Sequence, residues 1–254
     1  MQTIDKNKDY LYHYTSFESA VKIMASKKLL FSDFRKSNDI NESFGPIVKY
    51  NGFSKLEIDG FEKILNLYKQ ISFTMDKGTH KGFDIPAMWG HYAARGNGVC
   101  LVLDYDKIKE HIKATEYLYA KEVEYSKPNF NDISYCKHYG VSFEEFIVRS
   151  KDDLFFHKTT DWEYEQEYRI IAIDDEVKAL DISEFIVAVI LFNRLHDNFL
   201  NSVEYESFSK LNGQYGLYRY TSHCGAGKLY DSKENEVWPN LHYDFSITRN
   251  AKDE

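Results

Sequence analysis

Several residue types that mark common protein classes are scarce in this chain. Its 254 residues include only 3 cysteines and 4 prolines. Cys100, Cys136 and Cys224 are odd in number and far apart, and no CxxC pair occurs. That excludes a disulfide framework and a thiol-rich zinc site. Positive charge is also lacking. The formal net charge is −8, so a general affinity for nucleic-acid backbone is not expected, although a local basic groove stays open. No apolar run approaches the length of a membrane span, and the longest strong one is Phe185 to Phe192. The opening residues, Met1 to Asp9, are polar and lack the apolar core of a signal peptide. The expectation is a soluble, cytoplasmic protein with no membrane association.

The familiar catalytic and nucleotide motifs are missing too. There is no HExxH, no GxSxG and no GxGxxG between a strand and a helix. Cys224-Gly225-Ala226-Gly227-Lys228 has a Gly-Lys pair, but Leu229 stands where a phosphate loop needs a hydroxyl and Ser222 where it needs its first glycine. Cys136-Lys137-His138 and His223-Cys224 have no second half at metal-ligand spacing, so no metal is expected.

What is present is aromatic and patterned. Aromatics make up 16% of the chain, with 20 Tyr and 18 Phe, and hydrophobic residues 43%. A chain of this kind buries enough surface to offset its ordering entropy. Residues 10–15 alternate as a first strand, and Phe17, Ala20, Val21 and Met24 follow at helical spacing, with Thr15 and Glu18 as a capping box. Leu29 to Phe31 reads as a short strand and residues 33–55 as an irregular insert with one short helix. Ile58, Phe61, Ile64, Leu65 and Tyr68 mark a helix, and Ile71 to Met75 a strand. Pro86 opens a helix running to Ala94, and Val99 to Leu103 is a central strand. A strand over 116–125 and a helix over roughly 142–157 follow. Beyond them come a buried strand at 186–192, a helix at 195–211 and a strand at 214–220. No repeat or long linker divides the chain. The reading is one α+β domain over 1–254, with a split or mostly antiparallel mixed sheet flanked by helices, and not a doubly wound parallel sheet.

The stretch Lys158 to Ile171 stands out. If it is extended throughout, Glu163, Glu165, Glu167 and Arg169 share one face, opposite Tyr164, Gln166, Tyr168 and Ile170. Charge running into an apolar strand needs a partner. An interior ion pair of Glu167 with Arg169 or Lys158 is one explanation and a functional site the other. Similar pairs of readings apply elsewhere. His13 and Thr15 share a strand face and suit a ribose, or are a satisfied core histidine and a helix cap. Asp39 and Glu42 offer two carboxylates, or cap a short helix. Met88, His91 and Tyr92 share a helix side that reads as core or as cofactor contact.

Taken in order, Tyr12-His13-Tyr14-Thr15, Asn38-Asp39-x-x-Glu42, Met88-Trp89-x-His91-Tyr92, Gly98-Val99-Cys100-Leu101 and Lys158-x-x-x-Trp162-x-Tyr164-Glu165-x-Glu167-Tyr168-Arg169 resemble the large bacterial family known as domain of unknown function 2971. The resemblance covers about 10–192 and leaves 193–254 as an extension. Ile40 stands where that family usually has proline. No settled activity comes with it. More distantly, His13-Tyr14-Thr15, the strand hydroxyl Ser72 and the late Glu165-x-Glu167 are similar in order to ADP-ribosyltransferases. That similarity implies NAD as the substrate, with His13, Tyr14, Thr15, Ser72, Tyr92 and Arg169 contacting it. Tyr14 or Tyr92 would stack on nicotinamide, Glu167 would be the principal carboxylate, and Glu165 would orient or deprotonate the acceptor. The implied acceptor is a nucleic acid or a protein, and the implied context is a bacterial toxin or phage-defence effector with a possible antitoxin or inhibitor partner. The alternatives are an NAD glycohydrolase, a non-catalytic binding or regulatory module, and a metal-dependent nuclease built on Asp39, Glu42 and the late glutamates.

Overall fold

The computed structural model describes residues 4–34, 48–49, 52–78, 80–126, 131–173, 176–192, 208, 210, 213, 215–223 and 226–238. The Asn38–Glu42 loop lies outside these residues, as does almost all of the expected helix at 195–211.

Chain order begins with β1 (Tyr10–Ser16), α1 (Phe17–Ser26), β2 (Lys28–Leu30), β3 (Ser32–Asp33) and β4 (Val48–Lys49). There follow α2 (Lys55–Leu65), β5 (Lys69–Met75), α3 (Pro86–His91), a 3₁₀ turn at Ala94–Gly96, β6 (Gly98–Asp104) and α4 (Tyr105–Lys113). Next come β7 (Leu118–Glu122), β8 (Glu124–Tyr125), β9 (Asn131–Asp132), α5 (Ser134–Tyr139), α6 (Phe143–Arg149), α7 (Lys151–Phe155) and β10 (His157–Lys158). A 3₁₀ segment at Thr160–Glu165 leads into β11 (Glu167–Ala172), and β12 (Ala179–Asp181), β13 (Ile186–Phe192), β14 (Gly216–His223), β15 (Ala226–Asp231) and β16 (Glu236–Trp238) are the last elements among the described residues.

The main sheet runs β16-β15-β14-β13-β6-β1-β5-β11-β7, with β3 also on β5. Every pairing in it is antiparallel except β13 with β14. The expected α+β architecture with a mostly antiparallel mixed sheet is therefore what the chain adopts. β6 is central, as its continuous apolar run requires, and all seven of its residues are buried. Alternation sends Val99, Leu101 and Leu103 into the core on one face and Cys100 and Val102 into that on the other. The first core includes Leu11, Phe73, Ile108 and Ile170, and the second Tyr12, Tyr14, Trp89 and Tyr220. A third, around Phe61, Phe146 and Phe155, packs beside Ile171 of β11.

One irregularity positions the site. β1 pairs with β6 over seven residues, Tyr10 to Ser16, but with β5 over only two, Leu11 with Met75 and Tyr12 with Thr74. Beyond that point the two strands part. His13 closes part of the gap, its Nδ1 meeting the Ser72 carbonyl at 3.2 Å and its ring lying edge-on to Phe73. Among the described residues, no helix is long and apolar enough to cross a membrane.

Local differences from the sequence expectations have physical causes. Helix α1 is capped by Ser16, whose side chain accepts from Ser19 N, and not by Thr15, which stays in the β1 ladder opposite Val99. The helix opened by Pro86 ends at His91, because Ala94 and Arg95 take positive φ of 48° and 57°. Helix α4 was not expected, although Asp104 caps it through Lys107 N and Ile108 and Ile112 anchor it. The helix expected over 142–157 breaks at Ser150 into α6 and α7.

Candidate functional site

The parting of β1 and β5 opens a cavity of about 290 Å³. Tyr12, His13 and Tyr14 line it from β1 and residues Gln70 to Thr74 from β5. Met88 and Tyr92 come from α3 and the residue that ends it, while Lys158, Glu165 and Glu167 form a charged wall. Leu30 and Ser32 also line it. Strand β5 can face both ways because its residues alternate: Ile71 and Phe73 join the core, while Gln70, Ser72 and Thr74 fall on the opposite face, which in register is also the face of Glu167 and Arg169.

The charged wall differs from the sequence reading. Thr160–Glu165 is a 3₁₀ segment rather than strand, and Gln166 sits in the left-handed region at φ 46°. Only from Glu167 onward is the backbone extended. In a 3₁₀ turn residues three apart lie above one another, so Trp162 and Glu165 share a side. Lys158 meets both, with its Nζ 5.5 Å from the Trp162 ring centroid and 2.6 Å from Glu165 Oε2. The expected single face of Glu163, Glu165, Glu167 and Arg169 is thus broken: Glu163 is exposed, while Glu165 and Glu167 are both about 3% exposed.

Lys158 joins the two carboxylates, its Nζ lying 2.9 Å from Glu167 Oε2. Arg169, 1% exposed, grips Glu167 with both arms, Nε to Oε1 at 2.7 Å and Nη2 to Oε2 at 2.9 Å, and donates from Nη1 to the Phe155 carbonyl at 2.6 Å. Burial alone would raise the Glu167 pKa, but the Arg169 and Lys158 charges outweigh it and hold this carboxyl well below the usual range, with the Ser72 side chain adding a hydrogen bond. Glu165 has fewer partners. Its Oε1 accepts a short bond from the Tyr92 hydroxyl and its Oε2 one from Lys158. Burial pushes its pKa up, and Lys158 only partly offsets that. Burial also lowers the His13 pKa, so the ring is neutral near pH 7. A carbonyl can only accept, so Nδ1 carries the proton and Nε2 is left as an acceptor.

The structure therefore brings His13, Tyr14, Ser72, Tyr92, Glu165 and Glu167 to one cavity. Tyr14 is committed to the core there: its hydroxyl donates to the Gly82 carbonyl and its ring sits edge-on to Trp89 at 5.1 Å. Tyr92 is half-buried and is the more accessible ring. Thr15 and Arg169 do not line the cavity, since Thr15 lies further along β1 and Arg169 is turned to Glu167 and Phe155. Gln70 and Thr74 were missed by the sequence reading. Their signal was the period of two about Ser72, which places both on its face.

The model of a family described as "Protein of unknown function (DUF2971)" matches residues 88–170. Over that segment, about a third of the chain, the sequence is similar to this family. The matched segment runs from Met88 in α3 to Ile170 in β11 and carries Tyr92, Lys158, Glu165, Glu167 and Arg169. His13, Gln70, Ser72 and Thr74, the opposing wall, come from outside it. No curated protein and no solved structure matches the chain.

Proposed function

We propose that this cleft binds NAD and that the protein transfers ADP-ribose from it to a nucleic-acid or protein acceptor. One observation supports the reading above the others: His13, Ser72, Tyr92, Glu165 and Glu167, scattered over 150 residues of sequence, line a single cavity where the sheet opens. A structural salt bridge explains Glu167 with Arg169, but it does not explain why Tyr92 and His13 should converge on the same place.

In this reading the two carboxylates divide the work. A carboxylate has about four lone-pair positions. Those of Glu167 are occupied by Arg169 twice, by Lys158 and by Ser72. Glu165 has two partners and spare acceptor capacity. Glu165 thus accepts the ribose hydroxyl or the acceptor's proton, and its raised pKa suits a general base. Glu167 anchors Lys158 and keeps the wall rigid. Lys158 and Arg169 balance the two carboxylates, so the wall acts by placed hydrogen bonds more than by net negative charge. Tyr92 offers the aromatic face, and Nε2 of His13 accepts from a sugar hydroxyl.

The test is incubation of the purified protein with NAD labelled in the adenylate half, alone and with RNA, DNA or cell lysate. Label on a macromolecule supports transfer. Free ADP-ribose alone selects NAD glycohydrolysis. No nicotinamide release under any condition overturns both. A non-catalytic binding module is then the surviving reading, and the charge balance of the wall is the observation that favours it.

A further inference from the structure

Among the described residues, three that line the cavity carry a buried polar atom with no hydrogen-bond partner, Tyr12 Oη, Gln70 Oε1 and Thr74 Oγ1, and the last two stand on one strand, β5. Both side chains line the cavity, and their residues are 5% and 1% exposed. Leaving a buried acceptor or hydroxyl unpaired is costly, and such groups in folded proteins are nearly always satisfied. Their placement says what would satisfy them. Gln70, Ser72 and Thr74 alternate along one face of β5, so the row from Gln70 to Thr74 spans about 13 Å at roughly 3.3 Å per residue. Thr74 is in register with Glu167, which makes that end charged. Gln70 is in register with Ser32 on one side and Ile171 on the other, and Ser32 Oγ donates to the Gln70 carbonyl, which makes that end neutral.

We infer that the cavity holds one nucleoside unit lengthwise, with an N–H of its base or carboxamide donating to Gln70 Oε1 and its sugar hydroxyls at Thr74 beside the charged wall. The size agrees. About 290 Å³ lies just under the range of ligand pockets, about 300 to 1,000 Å³, so it has room for one ring-and-sugar unit and leaves the rest of a dinucleotide outside. With Oε1 the unsatisfied atom of its amide, Gln70 favours a ring that offers a donor over one that does not, which makes it the specificity-determining residue. Thr74 has a hydroxyl that can both donate and accept, which suits a sugar.

This inference deepens the NAD reading and rests on it for the choice of ligand class, yet it is tested separately, by binding. Calorimetric titrations use two matched pairs: nicotinamide riboside against nicotinic acid riboside, and adenosine against purine riboside, which lacks the amino group. The expected result is at least tenfold tighter binding of the N–H-bearing member in one pair, and loss of that preference in Gln70→Leu, which keeps the volume and the backbone carbonyl that Ser32 uses. Thr74→Val should weaken both members of that pair alike. Equal binding within both pairs overturns the inference from the native protein alone, whatever the variants do, and so does a preference that survives Gln70→Leu. Discrimination without NAD consumption leaves the nucleoside cavity standing and removes the ADP-ribosyl reading. NAD consumption without discrimination removes the cavity inference alone.

Discussion

Arg169 shows how one residue can serve two explanations. Its guanidinium holds Glu167 through two nitrogens and ties it to the Phe155 carbonyl, all in the dry interior. Removing one partner of a buried pair leaves an uncompensated charge and costs about 3–5 kcal/mol. Arg169→Met should therefore lower unfolding stability in urea by roughly that much, and a loss under about 1 kcal/mol would show that Lys158 alone satisfies Glu167. The pair was legible in the sequence as one of two readings of Glu167. What the sequence did not carry is the division of partners, because counting lone pairs needs the positions of Lys158, Tyr92 and Ser72. His13 gives a second prediction. Its folded pKa lies below the unfolded value of 6.5, so between the two the unfolded chain binds the extra proton. Its share of stability is complete above about pH 6.5 and is lost as pH falls through that value. His13→Gln should flatten the pH dependence of the urea midpoint between pH 8 and 5.5. Glu167 titrates below this window, and the raised Glu165 and Asp76 carboxyls are common to both proteins, so the difference between the two slopes isolates His13. An unchanged slope in the variant would contradict the burial of a neutral ring.

At the scale of elements, Gln166 carries the most information. Alternating charge over 163–169 reads as strand, and a period of two does describe Glu167 to Ala172. It fails before that because Gln166 adopts the left-handed conformation, which costs a non-glycine residue roughly 1–2 kcal/mol. The turn aims Glu165 and Glu167, on either side of it, at the same Lys158 ammonium. No composition signal marks such a position, since glutamine does not advertise a positive φ. Its Oε1 is buried without a hydrogen-bond partner as well. Gln166→Gly removes both penalties and should raise stability by about 1 kcal/mol in urea denaturation, while binding and activity hold. A clear loss of stability would mean that the side chain packs more than it strains. By contrast, β6 and β13 were fully legible. Continuous apolar runs of strand length have few other fates than the middle of a sheet. Helix α4 was missed for a different reason: its helical spacing rests on two isoleucines, Ile108 and Ile112, among charged neighbours.

For the whole molecule, the decisive feature is the two-residue contact between β1 and β5. The sequence foretold a mostly antiparallel sheet, but nothing in β1 or β5 taken singly says that the two part after Tyr12 and Thr74. That parting turns a row of strand residues into a cavity wall, and it sets residues of the segment that matches the DUF2971 family against His13, Ser72, Gln70 and Thr74 from the earlier part of the chain. The reading that follows, a cleft in which Glu165 works and Glu167 supports, is tested most directly by nicotinamide release from NAD in the native protein, Glu165→Gln and Glu167→Gln, with all three checked for folding. Glu165→Gln should fold normally and lose on the order of a hundredfold in rate, as loss of a preorganised catalytic group does. Its native counterpart should show an acid limb above the ordinary glutamate range, because burial raises the Glu165 pKa. Glu167→Gln should lose stability as well as rate. Full activity in a folded Glu165→Gln protein, or no nicotinamide release from the native one, would contradict the proposal.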